Sequence, residues 1–135
     1  MGGGAARRWS VVTLVLLVCA GAAGALTRFV VDGVWRARWP GRFPWPTVAI
    51  NVTGAFVLGA LTGLAQLPGG SSLVLQTVLG TGFCGGYTTF STASFESVRL
   101  FQQGRWRPAL ANTIGTLVLT VAAAAAGLGV IHLIT

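Results

Sequence analysis

Residues 80–92 read GTGFCGGYTTFST: four glycines (Gly80, Gly82, Gly85, Gly86), then the hydroxyls of Thr88, Thr89, Ser91 and Thr92. The chemistry such a string supports is ion coordination by main-chain oxygen. Glycine takes backbone angles that other residues resist, and a helix that unwinds leaves carbonyl oxygens that bind hard cations such as Na⁺. The surrounding stretch is uncharged, with no Asp, Glu, Lys or Arg between Arg42 and Glu96. In hydrocarbon, irregular backbone survives only where it binds something or lines a cavity. A helix broken at residues 85–88, near the bilayer midplane, is therefore expected to carry a site. The competing reading is a continuous glycine-rich helix packed closely on a neighbour.

A second constellation consists of neutral hydrogen-bonding groups. Asn51 is the one amide deep in its apolar segment, and Asn112, Thr116 and Thr120 recur at every fourth position, forming one polar stripe on a helix. Donors without an accompanying charge are what a small anion needs to replace its water. Ordinary interhelical hydrogen bonding, about 0.6 kcal/mol per bond, is the alternative for any single threonine. Phe90 adds an aromatic edge, which carries partial positive charge, although a lone Phe in a membrane helix ordinarily faces core or lipid. Arg28 either draws anions toward a vestibule or reaches the interface with its long stem. Glu96 and Arg99, three apart, are expected to pair on a helix surface. No acid falls in the middle of an apolar segment, which argues against a proton-coupled exporter and for passive conduction. Cys19, Cys84 and His132 lack metal-ligand spacing, so the cysteines are read as packing residues.

The elements that must position these groups are membrane helices. The chain has 135 residues, 53% hydrophobic and 8% charged, a composition of membrane proteins. Its net charge of +7 comes from arginines in short loops and at the N-terminus, where membrane topology places them, and nucleic-acid binding is excluded on that ground. Four spans fit, roughly 10–31, 46–67, 73–102 and 109–133, in a single all-α membrane domain over 1–135. The first imitates a signal peptide but is read as a retained span. The third, at 1.5 Å per residue, is about 45 Å long against an apolar core of about 30 Å, a surplus suited to two half-helices. Trp35, Trp39, Trp45 and Trp106 suit the interfaces, and residues 68–72 form a turn. Ala55, Gly59 and Gly63, four apart, make a small-residue stripe for close helix association, and an oligomer is expected. Arg36, Arg38, Arg42, Arg105 and Arg107 on one side outnumber Arg7 and Arg8 on the other, which favours an outside N-terminus by a small margin.

Three segments together resemble the Fluc/CrcB family of fluoride channels: GAAGALTR (21–28), NVTGAF (51–56) and, most specifically, GFCGGYTTFST (82–92). The resemblance implies a passive, fluoride-selective channel rather than an enzyme, exporting fluoride across the bacterial inner membrane as an antiparallel dual-topology dimer, with a structural Na⁺ at the interface. It further implies that Gly85 and Thr88 bind the Na⁺ through backbone carbonyls, and that Asn51, Phe90, Thr89, Ser91, Thr116, Thr120 and Arg28 serve the fluoride pore. One position departs from the pattern: Ala93 stands where the family usually has a second pore phenylalanine, and Phe95, two residues on, points elsewhere. A paralogous subunit of opposite orientation supplying the missing ring is the partner this departure suggests. The alternatives are a non-conducting or half-pore subunit of a heterodimer and, further off, a small proton-coupled exporter.

Overall fold

The computed structural model of the chain describes residues 3–70 and 73–134, with side chains from residue 11 onward. The side chains of Arg7 and Arg8, and the turn residues Ser71 and Ser72, lie outside the described set. Every regular element among the described residues is helical: α1 (Gly3–Arg38), α2 (Trp45–Gln66), α3 (73–87), α4 (Phe90–Gln102) and α5 (Trp106–Ile134). Helices α1, α2 and α5 are each long and apolar enough to cross a membrane. The third crossing is bent, and α3 and α4 share it. Helix α1 runs seven residues past the expected end at 31, placing Arg36 and Arg38 in its last turn, where cations complement the helix dipole. Pro46 lies in the first turn of α2, where its missing N–H costs nothing.

Two parallel helix pairs build the fold. Helix α1 lies along α3, with Leu17 and Ala20 against Gly82, and Gly21 against Gly86. Helix α2 lies along α5, with Gly59 against Ala124 and Gly63 against Ile131. At Gly24, Gly86, Gly59 and Gly127 an added side-chain carbon would collide with the facing helix's backbone. The small-residue stripe of α2 is therefore used within the chain: Gly59 and Gly63 are buried on α5. The outward surface is apolar, with Leu26 and Phe29 of α1 and Val118 and Val121 of α5 exposed, as lipid-facing helices require.

The bend corrects the expected position and cause of the break. Gly85 is right-handed helical (φ −64°, ψ −39°), and Gly85–Tyr87 form a regular turn. Helical geometry is lost at Thr88 (φ −78°, ψ 160°) and Thr89 (φ −150°, ψ 119°), angles open to any residue. Among the described residues only Gly69 and Gly104 have positive φ. Gly82 and Gly86 instead serve close packing on α1, the alternative weighed for the sequence. Ahead of the bend, Gln76–Cys84 coil as a π-helix, a rare form associated with functional sites.

Candidate functional site

At the bend, one side chain takes over the hydrogen bonds that the helix gives up. Thr89 N–H donates to Asn51 Oδ1 (2.7 Å), and Asn51 Nδ2 donates to the Thr89 carbonyl (2.9 Å). Asn51, 7% exposed on α2, thus pairs with both backbone groups of one extended residue. Leaving such groups unpaired at this depth costs about 1–3 kcal/mol each. Thr88 closes α3 by donating its N–H (2.9 Å) and its hydroxyl (2.8 Å) to the Cys84 carbonyl. Thr89 caps α4, its hydroxyl oxygen accepting from Thr92 N–H (3.2 Å), the usual role of an N-cap threonine. The negative C-terminal end of α3 and the positive N-terminal end of α4 therefore meet within three residues.

The bend opens onto a groove of about 610 Å³ between α2, α3, α4 and α5. Seven of the nine residues singled out in the sequence line it: Asn51, Gly85, Thr88, Thr89, Phe90, Thr116 and Thr120. Ser91 and Arg28 are not among its lining. Ser91 is exposed, its hydroxyl 3.2 Å from that of Thr89. The Arg28 Nε–H donates at 3.4 Å to the Gly86 carbonyl, one of the orphan acceptors at the end of α3; Arg28 holds the bend from the α1 side. Phe90 stands 88% exposed at the groove's rim. Ala93 lines the groove and Phe95 does not, so the chain offers one aromatic ring there.

The threonine stripe faces the groove with its protons turned inward. Thr120 Oγ1 donates to the carbonyls of Thr116 (2.8 Å) and Leu117 (3.0 Å), the back-bonding habit of helical threonine, and Thr116 Oγ1 reaches Asn112 Oδ1 at 3.5 Å. An anion in the groove would require these hydroxyls to rotate. Asn112 is the residue that sequence reasoning puts in the stripe and leaves out of the site. It is 1% exposed and donates to the Ala93 carbonyl (3.2 Å) and Ser97 Oγ (2.9 Å), tying α5 to α4. The signal that selects Asn51, a lone amide in an apolar helix, selects it too.

Among the described residues, the ion pairs gather on Arg36. Glu96 pairs with Arg36 of α1 (2.7 Å) rather than with Arg99, and Arg36 also holds Asp32 (2.9 Å). Helix α1 crosses close enough for Arg36 to reach both acids, which a surface pair of α4 alone could not match. Among the described residues, no group of three or more His, Cys, Asp or Glu could hold a metal. Oxygen donors at the bend are neutral.

A family model described as CrcB-like protein, Camphor Resistance (CrcB), matches residues 15–128. The chain is 51% identical over 117 residues to Fluoride-specific ion channel FluC 1 of Leifsonia xyli subsp. xyli, covering 87% of this chain and 85% of that one. It is 49% identical over 113 residues to FluC 1 of Streptomyces avermitilis (83% and 90% covered). It is 40% identical over 124 residues to FluC of Nitrobacter winogradskyi (90% and 98% covered).

Proposed function

We infer that this chain, which belongs to the CrcB-like family, forms a fluoride-selective passive channel that exports fluoride and protects the cell from it. It is a multi-pass bacterial membrane protein, and its relatives are named ion channels, not enzymes. The observation that carries the reading is the Asn51 clamp on Thr89 inside a groove lined by neutral polar groups. One Nδ2 proton of Asn51 is engaged, and an amide has two. The second, together with the edge of Phe90 and the hydroxyls of Thr89, Ser91, Thr116 and Thr120, gives an anion partial positive charge in place of water. The α4 N-terminus adds the positive end of its dipole. Arg28, on Gly86, positions the bend and contributes a fixed positive charge nearby.

The same bend suits a structural Na⁺. Gly85 and Thr88 lie in the groove wall at the C-terminal end of α3, the end of a half-helix that favours cations. Gly85 has nothing within 4 Å of where a side chain would begin. Carbonyl oxygens without carboxylate or thiolate companions are hard, neutral ligands, which fit Na⁺ and not a transition metal. When bound, the ion supplies positive potential beside the anion path. Two carbonyls leave its shell incomplete, so the reading includes a second subunit in antiparallel orientation.

Ala93 in the groove supports a more specific version, in which the second subunit is a paralogue that brings the missing ring. Fluoride-electrode efflux from liposomes tests both. Full, chloride-excluding efflux through this polypeptide alone would remove the paralogue; efflux only with a second family member would establish it. No fluoride movement in either preparation would end the channel reading.

A further inference from the structure

A separate polar cavity of about 390 Å³ lies where the loop between α1 and α2 meets the C-terminal end of α4 and the turn after it; Arg36, Arg42, Arg99, Arg105, Gln103 and Glu96 all face it. Its walls are tied together. Arg36 Nη2 donates to Glu96 Oε1 at 2.7 Å, joining α1 to α4. Gly104 (φ 73°) closes α4, its own amide donating to Phe101 O (2.9 Å) and that of Arg105 to Leu100 O (3.0 Å), the Schellman pattern that needs a left-handed glycine. Arg105, fixed by this turn, donates from Nη1 to the Arg42 carbonyl at 2.9 Å and pins the loop.

Two features of the cavity call for a ligand. Glu96 Oε2 is buried and accepts no hydrogen bond, which is rare for a carboxylate oxygen. The chain's only acidic side chains, Asp32 and Glu96, are both held by Arg36, so among the described residues Arg42 and Arg99 have no carboxylate partner. The occupant must therefore present an anion to two guanidinium groups and a hydroxyl to one carboxylate oxygen. Its remaining shape is given by a neighbouring cavity of about 660 Å³, which shares Arg36, Gly41 and Phe43 and is otherwise walled by Trp35, Trp39, Trp45, Pro40 and Pro46. A charged recess that shares a wall with an aromatic one, at the depth where Trp sits in a bilayer, fits an amphiphile.

We propose that this pair of cavities binds an anionic phospholipid with a hydroxylated headgroup, of the phosphatidylglycerol type. Arg42 and Arg99 hold the phosphate diester through charge-assisted hydrogen bonds, the headgroup hydroxyl donates to Glu96 Oε2, and the tryptophans cover the glycerol backbone and upper acyl chains. Basic recesses between membrane helices bind such headgroups generally. The site does not depend on conduction, because none of Arg42, Arg99 or Glu96 lines the groove.

Native mass spectrometry of the full chain tests it, with phosphatidylglycerol, phosphatidylmethanol (same charge, no headgroup hydroxyl) and phosphatidylethanolamine supplied in equal amounts. Retention is expected in that order. The double variant Arg42→Gln/Arg99→Gln should lose phosphatidylglycerol about 30-fold, from two surface guanidinium contacts. Neither side chain takes part in the Arg36–Glu96 or Arg105–Arg42 carbonyl ties, so folding is expected to persist, which the mass of the intact assembly reports. Arg107→Gln, outside both cavities, should change nothing. Equal retention of phosphatidylglycerol and phosphatidylethanolamine, an unaffected double variant, or an equal loss in Arg107→Gln would overturn the proposal. Displacement of the lipid by soluble glycerol phosphate at matched concentration would overturn the lipid as its source.

Discussion

Replacing Asn51 with aspartate and with alanine separates the charge requirement of the groove from the upkeep of the bend. The Asn51→Asp variant would keep an acceptor for Thr89 N–H, now charge-assisted, and lose the donor to the Thr89 carbonyl 2.9 Å away. That loss costs about 1–3 kcal/mol, within what a folded membrane domain tolerates. The added charge acts on the permeant ion. At about 4 Å and an effective dielectric of about 20, repulsion between unit charges is about 4 kcal/mol, which at about 1.4 kcal/mol per decade lowers flux nearly a thousandfold. The Asn51→Ala variant would add no charge but leave both Thr89 groups unpaired, about 2–6 kcal/mol in total, so the protein should lose thermal stability as well as flux. Fluoride-electrode efflux, in whichever assembly conducts with Asn51, and a detergent thermal-stability scan give the two readouts. Native flux through Asn51→Asp would remove Asn51 from the anion path. An Asn51→Ala protein as stable as the parent would refute the clamp.

Other perturbations follow from the same geometry. Ala93→Phe restores a second ring to the groove wall; efflux by the chain alone should rise severalfold if the ring is what it lacks, and an unchanged rate would count against the paralogue. Gly86→Val drives a branched side chain into the Gly21 backbone, and overpacking of this kind costs about 1–3 kcal/mol or more, seen as a lower melting temperature. Exchange of Na⁺ for N-methylglucamine during purification should dissociate the proposed dimer on size exclusion, because no organic cation of that size fits between main-chain oxygens; a dimer that survives the exchange would argue against the ion. Glu96→Gln removes one of the two carboxylates on a half-exposed Arg36 and should lower stability by at most about 1 kcal/mol, read from the same thermal scan.

Much of the architecture is legible in the sequence because membranes restrict the choices. Uncharged runs bounded by Arg and Trp mark the helices to within a few residues at most ends, and the surplus length of the third implies a bend. The bend's location is harder to read, because the conformational freedom of Gly85 and Gly86 is a local property while their neighbours in space decide their use. Gly86 admits the backbone of α1, while two threonines of ordinary geometry change the direction of the chain. No local pattern reveals that Asn51, 38 residues away, satisfies Thr89. Pairing of Glu96 with Arg36 across 60 residues is equally invisible, since a nearer arginine lies at helical spacing. Asn112 escapes for a different reason: as a member of a stripe it looks like one donor among several, whereas a buried amide needs partners of its own.

The wide coil of Gln76–Cys84 has a consequence for how this segment can vary. Each residue of an α-helix turns the chain by about 100°, and each residue of a π coil turns it less, so nine such residues set the angular phase at which the Thr88–Thr89 peptide emerges. Deleting one residue there would swing that peptide away from Asn51, while many side-chain exchanges at the same positions would leave its bearing intact. The segment behaves as a spacer with a fixed count, open to substitution and closed to changes in length.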